Sequence, residues 1–350
     1  MRVGIFDEFD TYNRNAVDKY NDILSIICKG DELGYDYFAT TEAYSAYSWS
    51  SSSFPLAIYS KAAAITKQIR FMTGISILPL HHPLQLASEL AMADQLTGGR
   101  LEVGTGRGHP WEYPKFGLNV QESRERYDEA LTHLAKLLQG QEVTAQGRFW
   151  SLENAQLSLP SVQQKLPLYV STLGETSAAK VAQLGLPAIV PSYAGFPVAA
   201  MKHLSQVYHA NYRGENPAKL IGGFLVYVDV DRKSAYRKAV PAVERVWGTF
   251  LDLYNTLPES WYEENYKDYI QASKGWAMAK DPDFVANAFP QFPVIIGDPS
   301  EVREKMLQLV EEIKPSELIL MVSFGQLPME DVHRSMDLFA ATVLPELKGK

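Results

Sequence analysis

The stretch Val3-Gly4-Ile5-Phe6-Asp7-Glu8-Phe9-Asp10 is a short apolar run that ends in an acidic turn without glycine. A buried parallel strand reads as such a run. Behind it Val17, Tyr20, Ile23, Leu24 and Ile27 recur at helical spacing until Gly34 stops them. The chain therefore opens with a βα unit. A doubly wound open sheet would want a glycine-rich phosphate loop in this first turn. Neither GxGxxG nor GxxxxGK[ST] occurs in the 350 residues.

The same unit repeats outward from there. Further apolar runs lie at 35–39, 70–78, 101–103, 167–170, 188–190, 221–230 and 318–322, each with a stretch of helical period as partner. Pro83 opens one of these helices at a position where no backbone donor is missed, and Gly98-Gly99 close it. Eight βα units close naturally into a (β/α)8 TIM barrel, and this is the predicted α/β fold. Residues 1–350 are expected to form one barrel domain with two insertions. In the first, about 142–160, residues 142–145 and 148–150 flank Gln146-Gly147 as a small hairpin outside the main sheet. The second, 231–292, is too rich in aromatics and turns to be one crossover; its rings suit an apolar substrate pocket or lid, a satellite core or a subunit interface equally.

Composition narrows the function. Forty-one acidic against 33 basic residues give a formal charge of −8, which argues against nonspecific nucleic-acid binding. The single Cys28 rules out an intrachain disulfide framework and a cysteine-based zinc site. The start MRVGIFDEFD lacks the basic and apolar regions of a secretion signal. No run approaches the roughly 20 apolar residues of a membrane helix. A soluble, cytoplasmic protein is expected.

In such a barrel the chemistry sits at the carboxyl ends of the strands. After the fifth strand, Ser171-Thr172-Leu173-Gly174-Glu175-Thr176-Ser177 leads into a helix start, where free amides and the helix dipole favour an anion; ordinary helix capping explains the same residues. After the fourth, Gly104-Thr105-Gly106-Arg107-Gly108 lets the backbone approach a ligand beside one guanidinium, whose planar fork suits a phosphate. The alternative is a flexible loop with a solvated arginine. Two anion-friendly loops on neighbouring strands point to a phosphate-bearing ligand. Glu42, after the second strand, is a candidate base, flavin-orienting group or ion-pair partner. His81 and His82 offer a proton donor, or with Glu42 a metal site for a hydrolase, although adjacent histidines usually point apart.

The run from Ile77-Leu78-Pro79-Leu80-His81-His82-Pro83 through Asp94-Gln95-Leu96-Thr97-Gly98-Gly99-Arg100 to Gly104-Thr105-Gly106-Arg107-Gly108 resembles the bacterial luciferase-like monooxygenases. So do 167–171, 182–187, Gly297-Asp298-Pro299-Ser300 and 317–321. The resemblance implies a barrel that takes reduced FMN from a separate flavin reductase, reacts it with O2 and passes one oxygen atom to a small or medium apolar organic substrate. It places Arg107, Ser171, Thr172, Gly174 and Ser177 at the FMN phosphate. Gly74-Ile75 fall where the family often has a non-proline cis peptide beside the flavin ring. Glu42 and His82 are the catalytic candidates, and a homodimer joined through the first helices is expected, with no metal, nucleic acid or membrane partner. The sequence departs from the pattern after the second strand. Many members have Glu-His-His there, with a histidine implicated as a base; Glu42-Ala43-Tyr44 stands here, and Ala43 transfers no proton. The rival readings are hydride transfer with the deazaflavin F420, which some members use, and non-catalytic flavin binding.

Overall fold

Eight of the apolar runs become parallel strands that pair side by side until the last meets the first. A computed structural model describes residues 1–10, 15–45, 49–190, 195–263, 266–281 and 283–349; positions 264, 265 and 282 of the second insertion lie outside it. The strands in chain order are β1 (Arg2–Asp7), β2 (Tyr37–Thr40), β3 (Arg70–Ile77), β4 (Leu101–Gly106), β5 (Val143–Gln146), β6 (Ser151–Ala155), β7 (Leu168–Ser171), β8 (Ala188–Val190), β9 (Leu220–Val228), β10 (Val294–Gly297) and β11 (Glu317–Met321). The order β9-β11-β1-β2-β3-β4-β7-β8, closed by β8 on β9, is a (β/α)8 barrel. β10 is a ninth strand. β9 pairs with β11 through Ile221–Leu225 and then with β10 through Leu225–Val228, so its neighbour changes halfway along.

The helices α1 (Ala16–Leu33), α2 (Pro55–Ala63), α3 (Pro83–Leu96), α4 (Ser123–Leu138), α5 (Glu175–Gln183) and α6 (Val198–Asn211) surround the ring with α10 (Pro299–Ile313) and α11 (Met329–Thr342), and α12 (Leu344–Lys348) ends the chain. The second insertion contributes α7 (Arg232–Tyr254), α8 (Lys267–Ala277) and α9 (Phe284–Ala288). Local chemistry sets the helix ends. Asn15 accepts the Val17 amide at the start of α1 and Gly34, at φ +81°, ends it. Asp298 and Glu301 form a reciprocal cap on α10.

Two segments differ from the sequence expectation. β4 runs on through Gly104-Thr105-Gly106, expected as loop, because Thr73 Oγ1 donates to the Gly104 carbonyl at 2.7 Å and the two backbones lie close. A Cβ on Gly104 would stand 2.2 Å from the Thr73 carbonyl oxygen, so only glycine allows the approach. The hairpin exists as a separate two-stranded sheet, but its second strand is 151–155 rather than 148–150. Residues 148–150 are held as the turn by Glu129, whose carboxylate accepts the backbone amides of Arg148, Phe149 and Trp150 at 2.8–3.3 Å.

The amino end of the barrel is closed by charge. The Arg2 guanidinium reaches Glu102 at 2.7 Å and Glu317 at 3.3 Å, and Arg70 joins Glu102 from the next strand. The Asp94 carboxylate, fully buried, takes the Gln163 amide and side chain at 3.0 and 2.8 Å, while Arg100 donates to the Ala63 and Ile69 carbonyls. The Asp94–Arg100 motif therefore fastens the floor of the barrel, opposite the end where chemistry is expected.

Candidate active site

The carboxyl ends of β1, β2, β3, β4 and β7 surround one cavity, roofed by α7 and α8, with about 1470 Å³ of empty space including its open mouth. It is lined by Glu42, Gly74, Ile75, Arg107, Ser171, Thr172, Gly174 and Ser177, so eight of the nine site residues expected from sequence come together. The ninth, His82, does not line it. His82 is exposed at the start of α3 and meets Trp150 edge-on at 5.7 Å. The preceding turn Leu78–Leu80 sends His81 toward the strand ends instead, so the trio Glu42, His81 and His82 of the hydrolase reading is not assembled. Among the described residues no group of three or more His, Cys, Asp or Glu is placed to hold a metal.

One wall carries two guanidiniums and a cluster of small hydroxyl residues. Arg107, just beyond β4, donates to Ser123 Oγ at 3.3 Å, and its guanidinium lies 4.4 Å from the centre of the Tyr266 ring. Arg124, one residue further along α4 than Ser123, lines the same wall. Burial pulls its pKa down, and the Arg107 charge pulls in the same direction. Two cations forced together in this way favour an anionic partner. On the same cavity α5 starts at Gly174, which brings no side chain to cap it. The Thr172 and Ser177 hydroxyls contact each other, and Ser177 Oγ donates to the Gly174 carbonyl at 2.8 Å. Guanidinium forks, hydroxyls and first-turn amides are the donor set a phosphate takes. Two acidic groups share this wall: Asp128, paired with Lys180 at 2.6 Å, and Asp268, whose Oδ2 would lie 2.5 Å from a Cβ on Gly174.

The floor of the cavity includes Gly74 and Ile75, joined by a cis peptide bond. Beside them Glu42, 5% exposed, holds the Ile77 amide at 2.8 Å and His81 Nε2 at 2.6 Å, and Tyr44 donates its hydroxyl to the same carboxylate. Burial lowers the His81 pKa, but the Glu42 hydrogen bond and charge outweigh it and the net shift is upward. Ala43 is buried, and nothing on it can titrate.

The far wall is apolar and aromatic. Phe250 and Trp276 stack at 5.3 Å, and both line the cavity with Phe196, Tyr266 and Tyr269. His109 lies flat on Trp111 at 4.5 Å and accepts or shares a 2.7 Å hydrogen bond with Tyr269 Oη; burial lowers its pKa to about 3, so the ring is neutral. Glu8 accepts the Trp49 indole N–H at 2.8 Å, and burial pushes its carboxyl up to about 8. The insertion thus does two things. Its inner rings line the cavity, and Trp247, Phe284, Phe289 and Phe292 form a cluster of their own.

Sequence reasoning missed Arg124, Asp268 and Glu8 as cavity residues. Glu8 lay in the first turn, legible as a strand end. The other two come from helix faces whose direction no local pattern gives.

A family model described as luciferase-like monooxygenase matches residues 1–314. The chain is 37% identical over 145 residues to 4-hydroxyprotoasukamycin monooxygenase of Streptomyces nodosus subsp. asukaensis, a match covering 41% of this chain and 39% of that protein. It is 26% identical over 160 residues to an F420-dependent glucose-6-phosphate dehydrogenase of Microbacterium testaceum, covering 44% and 47%. The crystal structure of monooxygenase RslO1 from Streptomyces bottropensis superposes with a TM-score of 0.81 at 25% identity over 99% of each chain.

Proposed function

The chain belongs to the luciferase-like monooxygenase family, and from that premise we propose that it is an FMN-dependent monooxygenase, supplied with reduced flavin by a separate reductase, that oxygenates a small or medium apolar organic substrate. The observation that carries this reading is the convergence of Arg107 and Arg124 with the open start of α5 across one cavity. A phosphate-bearing cofactor fits that donor set. A cofactor that had no anionic tail would leave this donor set unused.

When bound, reduced flavin would supply the two electrons that activate O2, of which one oxygen atom goes to the substrate and the other leaves as water. The chain's own residues do the rest. Arg107, Arg124, Ser171, Thr172, Ser177 and the α5 amides would hold the phosphate, while Gly74 and Ile75 would lie against the ring. Phe250, Tyr269 and Trp276 exclude water and accept an apolar substrate. Glu42, backed by His81 and Tyr44, is placed to orient a ligand at the cavity. With Ala43 beside it, the reading leaves out light-producing aldehyde oxidation.

The test is reductase-coupled O2 consumption with FMN and a panel of apolar substrates, run beside reduced and oxidised F420. Substrate-dependent O2 uptake with FMN supports the proposal. Turnover with F420 and no O2 uptake would replace it by F420-dependent hydride transfer. Flavin binding without any O2 uptake would make the protein a flavin carrier.

A further inference from the structure

Asp268 is the second residue of α8, and its carboxylate stands directly in front of Gly174, the residue from which α5 starts. A Cβ on Gly174 would lie 2.5 Å from Asp268 Oδ2 and 3.3 Å from Oδ1. The charges of Arg107 and Arg124 both act on this carboxylate, and all four residues line the one cavity. A carboxylate of the chain itself therefore stands at the start of α5, within the field of both guanidiniums.

The segment is held so that the side chain returns to this place. On one side Tyr266 Oη lies 3.3 Å from both the Arg107 carbonyl and Tyr113 Oη, and Tyr113 donates to the same carbonyl at 2.7 Å. On the other Tyr269 Oη meets His109 Nδ1 at 2.7 Å. The backbone of α8 is thus fastened to the β4–α4 connection immediately before and after Asp268. A phosphate arriving at the wall meets a fixed competitor that must turn aside or be neutralised, because two anions in one partly buried place repel. Burial already outweighs the attraction of Lys267 and, after it, of the two arginines and raises the Asp268 pKa, so the carboxylate is held there at some cost.

We propose that Asp268 is a tethered competitor for the cofactor's phosphate, a residue that weakens flavin binding and keeps the cofactor exchangeable. This rests on the reading that a flavin phosphate seats against Arg107. An enzyme that receives its reduced cofactor from another protein must release it after each cycle, and a competing carboxylate on its own lid lowers the affinity of the phosphate form selectively.

The test compares FMN with riboflavin, which lacks the phosphate, by fluorescence titration and stopped-flow release on the full chain. The proteins are wild type, Asp268→Asn, Asp268→Ala and Arg107→Ala, with thermal melts to confirm folding. FMN should bind about tenfold more tightly and leave correspondingly more slowly in at least one Asp268 variant, a change expected when a like charge is removed from an anion site. Riboflavin should change by less than about twofold, since it has no group to compete. Unchanged or weaker FMN binding in both Asp268 variants overturns the inference while leaving the phosphate site intact, provided Arg107→Ala weakens FMN. Equal wild-type affinity for FMN and riboflavin, with Arg107→Ala silent, overturns the site reading and the inference together.

Discussion

Glu42 holds His81 Nε2 at 2.6 Å through one carboxylate oxygen and the Ile77 amide at 2.8 Å through the other. The candidate acid–base group of the cavity is therefore also a brace between the ends of β2 and β3. Two consequences separate these roles. Glu42→Ala strands a buried amide and a partly buried imidazole, and should cost about 2–4 kcal/mol of stability by denaturant unfolding. Glu42→Gln keeps acceptor and size, so it should lose less stability and affect turnover more.

The raised pKa of His81 gives a pH signature. The stabilisation is fully present below the imidazole's unfolded pKa and is lost as pH rises through the folded one. The stability difference between wild type and His81→Gln should therefore be larger at about pH 5.5 than at about pH 9. A difference that grows toward alkaline pH would reject the pair as a charged contact.

Glu8 gives the same sign from a different cause. Its carboxyl, pushed up to about 8 by burial, stays protonated in the fold while the unfolded chain ionises near 4.5. Wild type should lose stability relative to Glu8→Gln as pH rises between those values, by at most about 1.4 kcal/mol per pH unit. Parallel stability profiles for the two proteins would count against a neutral carboxyl lining this cavity.

Beneath the site Lys19, 2% exposed, sits 3.3 Å from Asp7 and 2.8 Å from Asp10. Lys19→Met leaves two buried carboxylates without their cation, and should destabilise by about 3–5 kcal/mol in urea or guanidinium unfolding. Asp7, already raised to about 6 by burial, should rise further.

Arg124→Ala should weaken FMN binding by about tenfold and riboflavin binding by less than about twofold in a fluorescence titration, since it removes one charge-assisted phosphate contact. Equal losses for both ligands would place Arg124 in packing rather than in recognition.

How much of this was legible beforehand follows from what each signal reports. The eight barrel strands were readable because strands covered on both faces are continuous apolar runs, and the loops after β4 and β7 because glycine, arginine and small hydroxyl residues cluster there. Pairing was less visible. Nothing in Val294–Gly297 says that it borrows the upper half of β9. The hairpin shifted because its turn is set by Glu129, nineteen residues or more away. His81 and His82 carry identical chemistry one residue apart, and only the turn at Leu78–Leu80 decides which faces Glu42. Arg124 and Asp268 sit on helices whose rotation is fixed by packing between distant segments, so no local pattern marked them.

The change of neighbour along β9 uncouples circumference from cargo. Polypeptide leaves the wall after Val228 and rejoins beside that same strand at Val294, so whatever is spliced between can lengthen or be rewritten without altering the tally of staves in the ring. Tailoring for a new organic molecule can thus be concentrated in one graft, with Tyr266 and Asp268 the points at which that graft also meets Arg107 and Gly174.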